Sequence, residues 1–234
     1  MKRVILKISG EALAGNNGRG INAEYIKEIA LEIKELYNQV KEIGIIIGAG
    51  NIWRGRDSAE IGMDRTSADY MGMLGTILNS IALQNALESV NVPARVMSAL
   101  SMPNVCETYY RNKALAHLDK NIVVILAGGT GNPYFSTDTA ASLRAAELNA
   151  NWILMAKNGT DGVYDDDPRK NKNAKRFTKI SYDEILTRHL NVMDLTSATL
   201  CRENDIKIVI FDMNVKGNIS KVITHPEIGT IITK

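Results

Sequence analysis

The chain has 234 residues, with 28 Lys and Arg against 26 Asp and Glu, which leaves a formal charge of +2. With 45% apolar and 23% charged residues it lies far from the composition of disordered or collagen-like chains, so a folded protein with a sizeable core is expected. The near-neutral balance argues against a nucleic-acid binder, which normally carries a basic excess, and no apolar run approaches the roughly 20 residues of a membrane helix.

The first predicted strand, Val4 to Ile8, ends in Ser9-Gly10. Lys7 breaks its apolar run after three residues, too early for a signal-peptide core. A desolvated ammonium in such a strand costs several kcal/mol unless it is paired or poised on a ligand. The alternative is an edge strand from which Lys7 reaches solvent. Behind Asn22, a good N-cap, Ile26, Ile29, Ala30, Ile33, Tyr37 and Val40 recur at three- and four-residue steps and predict an amphipathic helix. Strand two, Ile45 to Ile47, runs into Gly48-Ala49-Gly50-Asn51, with Arg54 and Gly55 following. Met71, Leu74, Leu78, Ile81, Ala82 and Asn85 predict the next helix, in which Met71, Met73 and Leu74 read as core in preference to contact surface. Asp69, near Arg65 on that helix, reads from charge alone as a surface ion pair worth about 0–1 kcal/mol.

Strands are predicted at Ala94 to Met97 and Ile122 to Leu126. The second leads into Gly128-Gly129-Thr130-Gly131-Asn132-Pro133, after which Ser136, Thr137 and Asp138 open a helix with Thr137 as its expected N-cap. Further strands read at Trp152 to Met155, Lys207 to Phe211 and Thr230 to Thr233. Between them lie a polar loop, residues 165–175, and a capping box from Ser181 and Glu184. Most strands are apolar on successive residues, which suits strands covered on both faces. Their alternation with helices predicts a three-layer αβα sandwich around a mostly parallel central sheet. With no linker, repeat or low-complexity tract, residues 1–234 read as a single domain.

In such a sheet ligands bind beyond the carboxyl ends of the strands. Three strands end in glycines whose backbone N–H groups can close on an anion, and three such loops along one edge imply more than one phosphate. The pattern is neither a P-loop nor a dinucleotide fingerprint: no GxxxxGK[ST] occurs, and position 53 is Trp where GxGxxG requires Gly. Cys106 and Cys201 lie far apart, as do His117, His189 and His225, so neither a disulfide framework nor a metal site is expected. A reducing cytoplasm is the simplest compartment.

The segments Lys7-Ile-Ser-Gly-Glu-Ala-Leu13, Gly48-Ala-Gly-Asn-Ile-Trp-Arg-Gly55, Met63-Asp-Arg-Thr-Ser-Ala-Asp-Tyr-Met-Gly-Met73, Gly129-Thr-Gly-Asn-Pro-Tyr-Phe-Ser-Thr-Asp138, Asp161-Gly-Val-Tyr and Asp167-Pro168 resemble the bacterial uridylate kinases of the amino-acid-kinase fold. The resemblance runs in order along essentially the whole chain. It implies transfer of the γ-phosphoryl group of ATP to UMP in pyrimidine nucleotide biosynthesis, with Mg²⁺ carried on ATP and no protein metal site. It assigns Lys7, Ile8, Ser9, Gly10, Gly50, Arg54, Asn158, Tyr164 and Asp167 to ATP. It assigns Ala49, Asp69, Thr130, Gly131, Asn132, Pro133, Tyr134, Phe135, Ser136 and Thr137 to UMP. Lys7, Arg54 and Asp138 are the catalytic candidates, Asp138 the lesser one because a carboxylate in the first turn of a helix is favoured there without any catalytic role. It also implies a cytoplasmic homohexamer without nucleic-acid or membrane partners, inhibited by UTP and affected by GTP, with Arg95 read equally as part of the GTP-site region and as a plain basic surface residue. Two residues depart from the family: Ala49 replaces a glycine and Trp53 a phenylalanine. A methyl at position 49 fits if φ there is negative.

Three other functions compete at this level. An acyl-phosphate-forming kinase would share Lys7 and Gly10 but leaves the 129–138 run unexplained. A non-catalytic nucleotide sensor would not need Lys7 and Arg54. A nicotinamide dehydrogenase would need the glycine spacing that is missing here.

Overall fold

The computed structural model describes residues 1–15, 18–55, 61–168, 170–190 and 192–234, so Arg169 of the polar loop lies outside the described residues. The strands are β1 Arg3–Ile8, β2 Glu42–Ile47, β3 Ala94–Ser98, β4 Glu107–Thr108, β5 Val123–Ala127, β6 Trp152–Lys157, β7 Lys179–Ser181, β8 Lys207–Asp212 and β9 Thr230–Thr233. The helices are α1 Ala23–Gln39, α2 Arg65–Ser89, α3 Arg111–Asp119, α4 Thr137–Glu147, α5 Tyr182–Thr187, α6 Leu195–Glu203 and α7 Asn218–Lys221. Among the described residues the strands join one sheet in the order β4-β3-β5-β2-β1-β6-β8-β9-β7. Its pairs run parallel except β8 with β9.

Alternation along β1 splits the core in two. Val4, Leu6 and Ile8 face the layer that holds α1, α2 and α7, with Ile33, Ile77 and Ile219. Ile5 faces the opposite layer, with Ala141 of α4, Leu118 of α3, Tyr182 of α5 and Cys201 of α6. Both faces of the sheet are covered, which is why the strands read as unbroken apolar runs. Each fully buried Ile or Leu contributes about 1.5–3 kcal/mol. Strand geometry places Lys7 on the same face as Ile5, toward α4. Because β1 lies between β2 and β6, the edge-strand reading of Lys7 is wrong.

Asn22 caps α1 as expected, accepting from the backbone N–H groups of Glu24 at 2.9 Å and Tyr25 at 3.3 Å. Ser181 likewise caps α5 through Glu184 N at 3.1 Å. At α4 the cap is Ser136 and not Thr137: its Oγ accepts from the N–H groups of Asp138 and Thr139, both at 3.1 Å. Strand β2 begins three residues before Ile45, because Gly44 belongs to it. A Cβ at Gly44 would stand 2.6 Å from Ile5 Cδ1, so the residue that breaks the apolar pattern is the one that admits Ile5. Strands β4 and β7 have two and three residues with mixed burial, too short to leave a period in the sequence. Met71 and Leu74 are corrected from core to surface, at 37% and 44% exposed, whereas Met73 is buried. The sheet-facing stripe of α2 is Met73, Ile77, Leu83 and Leu87, and its other face, with Leu78, points to solvent.

Candidate active site at the carboxyl ends of the central strands

The carboxyl ends of β1, β2, β5 and β6 bring together most residues singled out from the sequence. Lys7, on β1, is 7% exposed. Its Nζ lies 2.7 Å from Asp138 Oδ1 in the first turn of α4, and Lys157 Nζ, at the end of β6, lies 3.2 Å from Asp138 Oδ2. The strand register places Lys7 and Lys157 on adjacent strands, with Lys7 opposite Met155. Burial alone would raise the Asp138 carboxyl, but the Lys7 and Lys157 ammoniums outweigh it and hold the group below the ordinary carboxylate range. Burial pulls Lys157 below the ordinary lysine value, with Asp138 opposing and Lys7 reinforcing that shift. Two ammoniums share the Asp138 carboxylate, with the Asp194 carboxylate also acting on Lys157, so the site gathers two cationic donors at one point. A phosphoryl group in transfer needs such a field.

The first two glycine loops touch directly. Gly48 N donates to the Ile8 carbonyl at 3.0 Å, and a Cβ on Gly10 would collide with the Gly48 carbonyl oxygen. The Ile8 side chain is buried in the core, so only its backbone reaches this edge. Ser9 stands just before the 3₁₀ turn Gly10–Leu13, with its carbonyl accepting from Ala12 N at 3.2 Å. A buried amide pair braces the loops. Asn79 Nδ2 donates to Asn51 Oδ1 at 2.7 Å and to the Gly48 carbonyl at 2.8 Å, while Asn51 Nδ2 donates to Asn79 Oδ1 at 3.0 Å and to the Gly20 carbonyl at 2.8 Å. Ala49 keeps φ negative, so its methyl adds no backbone strain. Its Cβ is accommodated by Gly75 of α2, where any side chain would approach within 2.9 Å. Arg54 donates through Nε to the Gly50 carbonyl at 3.0 Å and pairs through Nη2 with Glu11 Oε1 at 2.8 Å. Trp53 buries its indole Nε1 with no hydrogen-bond partner among the described residues.

The third loop follows β5. Gly128, Gly129 and Gly131 have φ of +74°, +59° and +84°, and Tyr134 adopts φ +72°. A tyrosine in that region is uncommon and needs support from outside the loop. Asp69 supplies it: its Oδ2 accepts from Tyr134 N at 2.7 Å, and Arg65, 3.7 Å from the same oxygen, sets its guanidinium carbon 4.6 Å from the Tyr134 ring centroid. Asp69 is therefore more than the surface ion pair that charge alone suggests. Gly128 N donates to Thr76 Oγ1 at 2.9 Å, which ties the start of the loop to α2 as well. Thr130 Oγ1 accepts from Asn132 N at 3.2 Å and donates to its carbonyl at 3.1 Å, and Phe135 is half-exposed beside Tyr134. Pro133 and Thr137 are partly buried within the same run.

Beyond β6 and β8 opens a cleft of about 850 Å³, lined by Asn158, Tyr164 and Asp167 together with Lys157, Asp161 and Val192. Asn158 Oδ1 accepts from Asn214 Nδ2 at 2.8 Å. The Tyr164 hydroxyl donates to Asp161 Oδ1 at 2.8 Å, a bond that raises its pKa above the usual tyrosine value. Lys157 lines this cleft and also contacts Asp138, joining it to the buried charges.

Lys157, Asn79, Thr76 and Asp194 escaped the sequence reading. Asp194 caps α6 through Ser197 N at 2.8 Å, and its other contacts run to α4: Thr139 Oγ1 donates to Oδ1 at 2.8 Å and Ser136 Oγ to Oδ2. Lys157 alone carried a visible signal, since, like Lys7, it is a charge at the carboxyl end of an apolar strand. Arg95 is an exposed side chain paired with Glu88 at 3.1 Å.

Residues 2–212 match the amino acid kinase family. The chain is 55% identical over 233 residues to the uridylate kinase of Aster yellows witches'-broom phytoplasma (strain AYWB), covering 99% of this chain and 97% of that one. It is 53% identical over 231 residues to the uridylate kinase of Limosilactobacillus reuteri (strain DSM 20016), covering 99% and 96%. The crystal structure of UMP kinase from Ureaplasma parvum superposes with a TM-score of 0.96 at 40% identity, over 100% of this chain and 99% of that chain.

Proposed function

The chain belongs to the amino acid kinase family, and from that premise we infer that it is an ATP-dependent UMP kinase, which transfers the γ-phosphoryl group of ATP to UMP and releases UDP and ADP. The observation that carries this reading is the buried Lys7, Asp138 and Lys157 group, placed where the glycine loops meet.

A UMP phosphate oxygen is already anionic near neutral pH, so no side chain has to remove a proton before attack. The new P–O bond forms to that oxygen while the bond to the ADP oxygen breaks. Catalysis then reduces to alignment and charge neutralisation. We assign Lys7 and Lys157 to the transferring group and Arg54 to the phosphates. Asp138 faces a lysine with each oxygen and is held ionised, which suits it to orient the ammoniums and not to act as a base. Ser9, Gly10, Gly50 and the Ile8 backbone cradle ATP phosphates, with adenosine in the cleft of Asn158, Tyr164 and Asp167. Ala49, Asp69 and residues 130–137 hold UMP. Mg²⁺ would enter with the nucleotide, held through its phosphates. Bound there, Mg²⁺ neutralises phosphate charge.

The single continuous sheet supports one domain over residues 1–234. The exposed Met71, Leu74 and Leu78 side chains of α2 support self-association, which we propose is hexameric. UTP inhibition and a GTP effect are carried by the resemblance alone, and a cytoplasmic location by the resemblance together with the two dispersed cysteines. No described helix is long and apolar enough to cross a membrane.

A coupled ADP-release assay with MgATP tests the reaction against UMP, CMP, dUMP, aspartate and carbamate. Turnover confined chiefly to UMP is expected. Turnover on aspartate or carbamate alone would keep the ATP half and discard the acceptor assignment.

A further inference from the structure

Arg176 is not among the residues that line the cleft, yet its guanidinium joins two chain segments behind the Tyr164 wall. Its Nη1 donates to the carbonyl oxygens of Ile228 at 2.7 Å and Asp161 at 2.9 Å, and lies 3.4 Å from Asp161 Oδ2. Its Nη2 donates to the Glu227 carbonyl at 3.4 Å. The Arg176 stem packs on Gly162, where a Cβ would come within 2.9 Å of Arg176 Cδ. The backbones of Tyr164 and Arg176 form an antiparallel bridge. Thr230 closes the junction, its Oγ1 accepting from Val163 N at 2.9 Å and donating to the Phe177 carbonyl at 2.5 Å. Asp161, held by Arg176, is the same residue that accepts the hydrogen bond from the Tyr164 hydroxyl.

The chemistry of this junction is specific to a guanidinium. Its planar fork offers five N–H donors that can serve carbonyls from different directions at once, whereas an ammonium is a point charge with no fixed fork. Here one fork serves the cleft wall, through Asp161, and the 3₁₀ turn Pro226–Ile228 that leads into β9. Without it, the 161–164 wall would keep the Thr230 contact but lose its tie to that turn, and the Asp161 carboxylate that orients Tyr164 would lose a cation.

We propose that Arg176 is a positioning residue for the donor nucleotide, fixing the 161–164 wall of the cleft through Asp161 and Tyr164. The proposal rests on the reading of this cleft as the ATP site. A residue of this kind changes how well the nucleotide is held, and leaves the buried lysines and the UMP loop as they were. Its loss therefore separates KM for MgATP from kcat and from KM for UMP.

The test compares the full-length enzyme with Arg176→Met, which keeps a stem on Gly162 without the fork, and Arg176→Lys, which keeps the charge. MgADP binding by titration calorimetry is measured beside steady-state kinetics. For Arg176→Met, KM for MgATP and Kd for MgADP are expected to rise about 10-fold, equivalent to ~1.4 kcal/mol. Saturated kcat and KM for UMP should stay within about twofold, with Arg176→Lys intermediate. Unchanged MgADP binding in Arg176→Met, or a loss of kcat and both KM values together in both variants, would overturn the proposal. Failure of the wild type to bind MgADP would instead overturn the reading of the cleft itself.

Discussion

Lys7 shows how a single residue can be legible as odd before it is legible as functional. The cost of burying an ammonium in an apolar strand requires a partner, and Asp138 is that partner at 2.7 Å. In the proposed mechanism, removing Lys7 takes away charge from the transferring phosphoryl group. Lys7→Ala is therefore expected to lower kcat by at least about 100-fold, ~3 kcal/mol of transition-state stabilisation; near-normal turnover in a folded variant would remove Lys7 from the mechanism. Lys157 adds a pH dependence. Its pKa lies below the lysine value of 10.5 because burial disfavours the ammonium, so the cation is present at lower pH and lost as pH rises through that depressed value. The alkaline limb of kcat/KM for MgATP should thus fall below pH 10.5, and Lys157→Arg, which does not titrate there, should move it upward. A limb that stays in place would assign it to another group.

Helix α4 is the element on which the site turns, because its first turn carries Asp138 while Ser136 caps it. Ser136 also donates to Asp194, so the cap fastens α4 to the start of α6. Ser136→Ala is expected to cost about 1–2 kcal/mol in urea denaturation, from the lost cap and the lost bond to a carboxylate. Thr137→Ala, at the position the sequence pattern favoured for the cap, should stay within about 0.5 kcal/mol. The reverse ranking would restore Thr137 as the cap. A Thr-Asp pair after a Ser offers either hydroxyl to the helix, and only the extended backbone of Ser136, φ −78° and ψ 169°, decides between them.

For the whole molecule, α2 faces two ways. Its buried stripe seals the sheet while Tyr70, Met71, Leu74 and Leu78, between 37% and 53% exposed, leave an apolar outer stripe. This stripe is the surface on which the proposed self-association would rest. If the proposed assembly uses it, Leu74→Glu with Leu78→Glu should shift sedimentation velocity toward smaller species, without changing the far-ultraviolet circular dichroism. An unchanged sedimentation coefficient would place the contact on another face.

The apolar runs, the Asn22 and Ser181 caps and the three glycine loops were readable because each rests on a local rule: period, capping or turn chemistry. The same rules marked Lys7 as a charge out of place, and the order of motifs carried the family. What no local rule contains is which distant residues meet. Lys157 joins Asp138 because β6 pairs with β1, Asp194 at the start of α6 reaches the first turn of α4, and Asn51 meets Asn79 beneath a loop. Met71 and Leu74 share their helical period with core residues, and only the rotation of α2 against the sheet turned them outward. The sequence by itself determined the elements and the chemistry available at their ends. The tertiary structure decided the partners of each buried charge, because the desolvation of an ion depends on every segment packed around it and not on its neighbours in the chain.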